Sequence, residues 1–83
     1  MQNNNLIKDV NNILESVFKE KIKTINTETN NWNIELLIDS FSSLEIILHI
    51  EEKFNITIDI EKISFKDFIN SYSIKNLINN HLK

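Results

Sequence analysis

The chain has 83 residues, which is the size of one small domain. Isoleucine, leucine, valine and phenylalanine supply 31 of these 83 residues, well above the roughly 20% typical of disordered chains. Cysteine and glycine are both absent, which excludes disulfides, thiolate metal sites, a cysteine nucleophile and glycine-rich nucleotide-binding loops. Nine lysines, no arginine and twelve acids leave a net charge of −3, which argues against nucleic acid as the main partner because phosphate binding needs clustered cations.

Sequence features also indicate where the protein resides. Residues 1–5 lack the basic and then apolar order of a secretory signal. The longest apolar runs have three residues, far fewer than the roughly 20 of a membrane span. We therefore expect a soluble, cytoplasmic monomer with a single domain over residues 1–83. The 14 asparagines and the lack of alanine are typical of a low-GC genome, and we assign them no chemistry.

The first predicted element is an amphipathic helix, followed by a long loop. Apolar residues recur at spacings of three and four from Leu6 to Phe18, with charged and polar residues between them. Residues 24–33 show no period. The whole stretch up to Ser40 is nevertheless too apolar for a free linker, because it contains Ile25, Trp32, Ile34, Leu36, Leu37 and Ile38. Loops longer than about 12 to 15 residues are usually functional or held against the core. We expect this loop to be pinned to the core.

A second helix is predicted from Asp39 and Ser40 to about Phe54, with two apolar stripes. At about 100° per residue, Ile46, Ile47, Ile50 and Phe54 lie on one side, and Phe41, Leu44 and Leu48 on nearly the opposite side. Either a small bundle wraps this helix, or one stripe contacts a partner protein. We favour a partner, because acids flank the second stripe and suit a surface rich in lysine and arginine. These acids are Glu45, Glu51 and Glu52.

The last third of the chain predicts a connector and two further helices. Residues 56–60 alternate like a strand, but they have no pairing candidate and are expected to form an extended connector. Ser64 and Asp67 have the spacing of a capping box and predict a short helix to about Ile69. Asn70 or Ser71 can cap the last helix, whose apolar face consists of Ile74, Leu77, Ile78 and Leu82. The expected fold is an all-α four-helix bundle, with three longer helices, one short third helix and a long first loop.

Few residues carry obvious chemistry. His49 and His81 are isolated and are expected to be ordinary surface histidines, with His81 near a helix end where the dipole favours a cation. The acids have no metal-ligand spacing with a histidine, and no catalytic dyad or triad is present, so we predict neither a metal site nor an enzyme. Ser40 begins a helix whose unpaired N–H groups would stabilise an attached anion. Asp39 is a favourable N-cap residue for that helix.

The motif Asp39-Ser40-Phe41, with Leu44-Glu45 and the run Glu51-Glu52-Lys53-Phe54-Asn55-Ile56, resembles the signature of acyl carrier proteins. That signature is Asp-Ser-Leu, a helix with a Val/Leu-Glu pair, and Glu-Glu-x-Phe before an apolar extended segment. The order of the predicted elements is also similar over essentially the whole chain. The resemblance implies that Ser40 carries 4′-phosphopantetheine, transferred from coenzyme A by a phosphopantetheinyl transferase, the holo-carrier synthase, and that Asp39 assists this enzyme.

The same resemblance implies a surface for partner enzymes and a thiol for cargo. The enzymes are the transferase, a ligase that loads an acyl or aminoacyl group, and downstream transferases or synthases. The thiol of the arm explains how a cysteine-free chain can form thioesters. Whether Ile46, Ile50, Phe54, Ile63 and the last helix enclose a short acyl chain is a question that the sequence leaves open. The residues expected to face partners are Phe41, Leu44, Glu45, Leu48, Glu51 and Glu52.

Two departures from the signature bear on the kind of carrier. Fatty-acid carriers usually have a glycine two residues before the Asp-Ser pair, where this chain has Leu37, and a leucine where it has Phe41. Both departures are similar to D-alanyl carrier proteins, which hold D-alanine for teichoic acid decoration, although their characteristic tryptophan would be Phe68 here. A general acyl carrier, favoured because that group is larger, and a D-alanyl carrier both stay open. The alternative from another class is a small helical adaptor without a prosthetic group.

Overall fold

A computed structural model describes residues 3–25 and 27–82, with side chains from Leu6 onward. Within these residues there is no strand, as expected for an all-α fold. The predicted count of four helices is not confirmed, because the short third helix is present only as a four-residue 3₁₀ turn. The α-helices of the described chain are α1 (Asn3–Phe18), α2 (Ser40–Phe54) and α3 (Ser71–His81). Its 3₁₀ turns are the first (Lys19–Thr24), the second (Ile60–Lys62) and the third (Phe65–Phe68).

Helix α1 buries one face, as its apolar spacing predicts. Val10 and Leu14 are fully buried, whereas Lys8 and Glu15 on the opposite side are exposed. The helix ends where Lys19 adopts a left-handed conformation with φ 51°. This residue turns the chain into the first 3₁₀ turn, whose Ile22 is buried in the same core.

Helix α2 begins and ends at polar residues that satisfy its terminal backbone groups. Asp39 is the N-cap, and its side chain accepts a hydrogen bond from the Ser42 N–H. Asn55 is the C-cap, with the left-handed angles φ 55° and ψ 50°, and its N–H donates to the Glu51 carbonyl. Glycine usually occupies such a position, so in this glycine-free chain an asparagine takes a role that we did not predict.

Hydrogen bonds pin the long loop to α1 and α3, which confirms that expectation. The Asn11 side chain donates to the Asn30 carbonyl at 2.9 Å. The Trp32 N–H donates to Ser71 Oγ at 3.0 Å, and the Ser71 N–H donates back to the Trp32 carbonyl at 3.0 Å. Because Ser71 Oγ also donates to Asn11 Oδ1, one buried hydroxyl links the loop to both helices.

The stretch after α2 is extended, as expected, up to its last residue. Residues 56–59 pair with no strand in the described chain, and Ile60 begins the second 3₁₀ turn. In the third 3₁₀ turn the Ser64 N–H donates to Asp67 Oδ2 at 2.9 Å, as the predicted capping box requires. Asn70 is the N-cap of α3, with its Oδ1 accepting from the Ser73 N–H at 2.9 Å.

One hydrophobic core connects the three helices with the long loop. Each of the three helices and the loop contributes fully buried side chains to its centre, so all of them share one core. The first stripe of α2 supplies Ile46, Ile47 and Ile50, which are buried, and Phe54, which is partly buried. The fully buried apolar residues at the centre are Val10, Leu14, Ile34, Ile46, Ile50, Ile74 and Ile78.

Candidate functional site

Ser40 is exposed and is the first residue of α2. Two further serines, Ser42 and Ser43, lie in the same helical turn. The Ser42 hydroxyl donates to Asp39 Oδ1 at 2.6 Å, and the Ser43 hydroxyl donates to the Ser40 carbonyl at 2.9 Å. Ser40 Oγ makes no hydrogen bond within residues 3–25 and 27–82. Of these three hydroxyls, only that of Ser40 is both exposed and unengaged.

Asp39 holds the start of α2 through two bonds to one residue. Its Oδ1 accepts from the Ser42 N–H at 2.8 Å and from the Ser42 hydroxyl at 2.6 Å. The hydroxyl bond, followed by the backbone bond and with a smaller contribution from the Lys21 charge, lowers the pKa of Asp39 below its usual 3.8. The carboxylate is therefore ionised at neutral pH and directed at the helix. Ser42, which is 8% exposed, was missed in the sequence, although a hydroxyl three residues after an N-cap aspartate was the available signal.

The second stripe of α2 is left uncovered by the described chain. Phe41 is 71% exposed, Leu44 is 45% exposed and Leu48 is 63% exposed. The alternative that a small bundle covers both stripes of α2 is therefore wrong for the described residues. We call these three residues the exposed stripe. Leu36, which lies in the loop stretch expected to be pinned to the core, is instead 95% exposed.

The three acids assigned to the rim of the exposed stripe differ in structure. Glu52 is exposed and Glu45 is partly exposed, and neither forms an ion pair in the described chain. The carboxylate of Glu51 instead accepts a hydrogen bond from the Ile58 N–H at 2.8 Å. Glu51 therefore ties the extended connector to α2, a role for which the sequence pattern contains no local signal.

A surface groove of about 290 Å³ opens beside Ser40. Its apolar floor includes Ile47 and Phe68, each 3% exposed, and its rim includes Ile60 at 54% and Phe65 at 52% exposure. We call it the Ser40 groove. Its lining residues are Asp39, Ser40, Ser43, Leu44, Ile47, Ile60, Ile63, Ser64, Phe65 and Phe68.

The Ser40 groove differs in position from the residues considered for an acyl enclosure. Ile46 and Ile50 are both 0% exposed and belong to the closed core. Neither these residues nor Phe54 nor α3 contributes to the Ser40 groove, and of the set considered only Ile63 does. The reason is the core itself, because α1 and α3 already pack against the first stripe of α2 and fill the space that a chain would need.

The remaining candidates lie apart from Ser40. His49 is exposed on α2, and His81 Nδ1 lies 2.9 Å from the Leu77 carbonyl at the end of α3. The described residues contain no cluster of three or more histidine, cysteine, aspartate or glutamate side chains that could hold a metal ion. None of the described helices combines the length and apolarity needed to cross a bilayer.

Comparison with models of known protein families identifies the family of this chain. A family model described as "Phosphopantetheine attachment site" matches residues 8–79, which include α2 and the whole Ser40 groove. The chain belongs to this family. Members of the family bind the 4′-phosphopantetheine prosthetic group and interact with modifying and partner enzymes. No match was found among curated proteins or among solved structures.

The residues at the start of α2 fit this prosthetic group. An exposed, unengaged hydroxyl is the acceptor that a phosphodiester linkage needs, and Ser40 has one. The N-terminus of a 15-residue helix stabilises the negative charge of such a linkage. The Ser40 groove, with six apolar residues among its ten lining residues, lies beside the same residue.

Proposed function

We propose that this protein is an acyl carrier protein that attaches 4′-phosphopantetheine to Ser40. The arm would hold an acyl or aminoacyl group as a thioester and present it to partner enzymes. The observation that carries this proposal is the state of the three serines at the start of α2. The Ser42 and Ser43 hydroxyls bond to Asp39 and to the Ser40 carbonyl, whereas the exposed Ser40 hydroxyl has no such bond within the described residues. The match to the family supports Ser40 as the attachment residue.

The attachment is a transfer to the Ser40 hydroxyl. Ser40 Oγ forms a bond to the phosphorus that carries pantetheine in coenzyme A. The bond from that phosphorus to the oxygen that bridges the two phosphates breaks, and the adenine nucleotide leaves with this oxygen. The serine proton passes to a base on the transferase. Asp39 contributes by fixing the first turn of α2 through Ser42, which holds Ser40 in one orientation for the incoming enzyme.

When bound, the prosthetic group supplies the thiol that this cysteine-free chain lacks. The protein contributes the attachment point, a docking face and a groove, and we propose no catalytic residue within it. The docking face consists of the exposed stripe with Glu45 and Glu52. These acids would attract lysines and arginines on the transferase, the loading ligase and downstream enzymes. We further propose that residues 1–83 act as one monomeric carrier domain in the cytoplasm.

A D-alanyl carrier is the second candidate, and the residues around Ser40 favour it. Leu37 replaces the usual glycine of fatty-acid carriers, and Phe41 replaces their leucine. Phe41 is 71% exposed, so it would alter the surface that a loading enzyme meets. The loading enzyme separates the candidates, since a D-alanine-activating ligase would charge only a D-alanyl carrier. A helical adaptor would instead use the exposed stripe and leave Ser40 unmodified.

The first prediction concerns the mass of the protein. Incubation with coenzyme A and a broad-specificity phosphopantetheinyl transferase should add about 340 Da, the mass of one phosphopantetheinyl group. Intact mass spectrometry measures the gain, and peptide mapping should locate it on Ser40 rather than Ser42 or Ser43. Ser40→Ala should abolish the gain, whereas the control Ser16→Ala, an exposed serine on α1, should retain it. A wild-type chain that stays unmodified would leave the adaptor as the better function.

A further inference from the structure

Ser42 is the buried serine in the first turn of α2, and its hydroxyl bonds to a side chain rather than to the backbone. We infer that Ser42 is a positioning residue for the modification of Ser40, because its hydroxyl holds the Asp39 carboxylate in the orientation that the transferase recognises. This inference rests on the proposed function and adds to it a role for Ser42, to which the family resemblance assigns none.

The backbone of Ser42 already caps the helix. Its N–H donates to Asp39 Oδ1 at 2.8 Å, which is the bond that an N-cap side chain accepts from the first turn. The hydroxyl adds a second bond to the same oxygen at 2.6 Å, within the range of strong bonds to an ionised carboxylate. The last torsion of an aspartate side chain has broad minima, so a second donor on the same residue restricts how the carboxylate turns.

The bonding of Ser42 differs from that of its neighbour Ser43. A serine in a helix commonly bonds to the carbonyl three or four residues earlier, and the Ser43 hydroxyl does so with Ser40. The Ser42 hydroxyl bonds instead to the carboxylate of the residue three positions earlier. Because Ser42 is only 8% exposed, water has little access to compete for this hydroxyl. The carboxylate is therefore oriented in the free protein, before a partner arrives.

The two bonds leave one oxygen of Asp39 available to a partner. Both end on Oδ1, and Oδ2 accepts no hydrogen bond within the described chain. Asp39 is exposed and directly precedes Ser40. The Ser42 hydroxyl is the largest cause of its lowered pKa, whereas the Phe41 N–H is the smallest. A fixed, ionised oxygen beside the reacting hydroxyl suits a lysine or arginine of the transferase, because an acceptor that is already oriented binds at a smaller entropic cost.

The rate of holo-protein formation tests this role. Initial rates with coenzyme A and a broad-specificity phosphopantetheinyl transferase, followed by intact mass spectrometry, give kcat/KM for the wild type and for each variant below its Tm. Ser42→Ala should lower kcat/KM by roughly 3- to 10-fold, since misplacing a group beside the reacting atoms slows a reaction even when the fold persists. Ser42→Thr keeps a hydroxyl at the same position and should restore most of the rate.

A double-mutant cycle with Asp39→Asn separates positioning from helix capping. Asparagine caps a helix about as well as aspartate, and its side-chain oxygen can accept both bonds from Ser42, but it presents no charge. Asp39→Asn alone should lower kcat/KM by at least as much as Ser42→Ala. In the Asp39→Asn background, Ser42→Ala should lower the Tm further but leave kcat/KM within roughly 2-fold of Asp39→Asn alone.

Ser71→Ala is the matched control for the loss of a buried hydroxyl. Ser71 is 0% exposed and bonds to Asn11 and Trp32, but it does not line the Ser40 groove. Its substitution should lower the Tm and leave kcat/KM within about 2-fold of the wild type, because the two sites are independent. A loss of rate that merely follows stability would appear in this variant as well as in Ser42→Ala.

Three results would overturn the inference. Modification of Ser42→Ala at the wild-type rate would show that the hydroxyl does not orient the carboxylate for the enzyme. A loss of kcat/KM on Ser42→Ala that is as large in the Asp39→Asn background as in the wild type would show that Ser42 acts independently of the Asp39 charge. An equal loss in Ser71→Ala would assign the effect to stability. All three leave the proposed function intact, whereas a wild type that gains no mass on Ser40 would refute that function and the role of Ser42 with it.

Discussion

Side chains at the two ends of α2 show how a chain without glycine or proline defines a helix. At the start, Asp39 and Ser42 make a local pair of bonds to the first turn. At the end, Asn55 accepts a left-handed conformation, which asparagine tolerates better than most residues because its short polar side chain bonds locally. Both positions were visible in the sequence. Only the N-cap was predictable. The left-handed turn was not, because nothing in the sequence distinguishes Asn55 from the other asparagines among the 14 of the chain.

The Asp39–Ser42 pair predicts a change in titration. Because the Ser42 hydroxyl is the largest cause of the lowered pKa of Asp39, Ser42→Ala should raise that pKa towards its usual 3.8. The lowered value means that the contribution of Asp39 to stability is present above the unfolded pKa and is lost as the pH falls through the folded one. Ser42→Ala should therefore lose less stability than the wild type on acidification below about pH 4.

Carboxyl NMR titration measures this pKa directly. Ser43→Ala is the control, because the Ser43 hydroxyl donates to the Ser40 carbonyl and not to Asp39. The pKa of Asp39 should be the same in this variant as in the wild type. An equal pKa in Ser42→Ala and the wild type would contradict the role assigned to the Ser42 hydroxyl.

Helices and connections differ in how well the sequence predicts them. Helix α1, the start of α2 and the cap of α3 were predictable, because apolar spacing and capping residues are local signals. The bonds that position the connections are not local. Trp32 and Ser71 are 39 residues apart, and Ser71 and Asn11 are 60 apart. Glu51 and Ile58 are only seven apart, yet the turn at Asn55 that brings them together has no periodic signature.

The buried hydroxyl of Ser71 should contribute measurably to stability. Ser71→Ala leaves the Trp32 N–H and Asn11 Oδ1 without this partner, and an unsatisfied buried polar group costs about 1–3 kcal/mol. We expect urea unfolding to give a free energy of unfolding lower by about that amount. Trp32 fluorescence reports the loosening of the loop in the same experiment.

Ser73→Ala provides the matched control on the same helix. The Ser73 side chain makes no hydrogen bond within the described chain, and its backbone N–H keeps its bond to Asn70. This variant should differ from the wild type by less than about 0.5 kcal/mol. If Ser71→Ala proved as stable as Ser73→Ala, the network would contribute to the position of the loop but not to stability.

Considered as a whole, the molecule turns one face of α2 inward and leaves the opposite face free. The inward face holds the core, and the whole chain has a net charge of −3. The outer face carries the exposed stripe with Glu45 and Glu52. The two stripes predicted these faces. The place of the groove could not be predicted, because it depends on how the second and third 3₁₀ turns fold back towards Ser40.

Charge reversal on this face should slow modification by the transferase. Glu45→Lys and Glu52→Lys should each lower kcat/KM by roughly 2- to 10-fold at low salt, because charges at the rim of an interface act mainly on association. The loss should shrink at high ionic strength, where screening acts within a few Å. Initial rates of holo-protein formation measure the effect, while circular dichroism shows whether the helices persist.

Glu15→Lys, on the exposed side of α1, is the control because it makes the same change in net charge away from α2. An equal loss in this variant would mean that overall charge, and not the outer face of α2, governs recognition. Glu51 is unsuitable for the comparison, since its substitution would release the Ile58 N–H and confuse docking with folding. A rate that responds to Glu45 and Glu52 but not to Glu15 requires a partner that approaches along the exposed stripe, where Ser40 lies at the helix start.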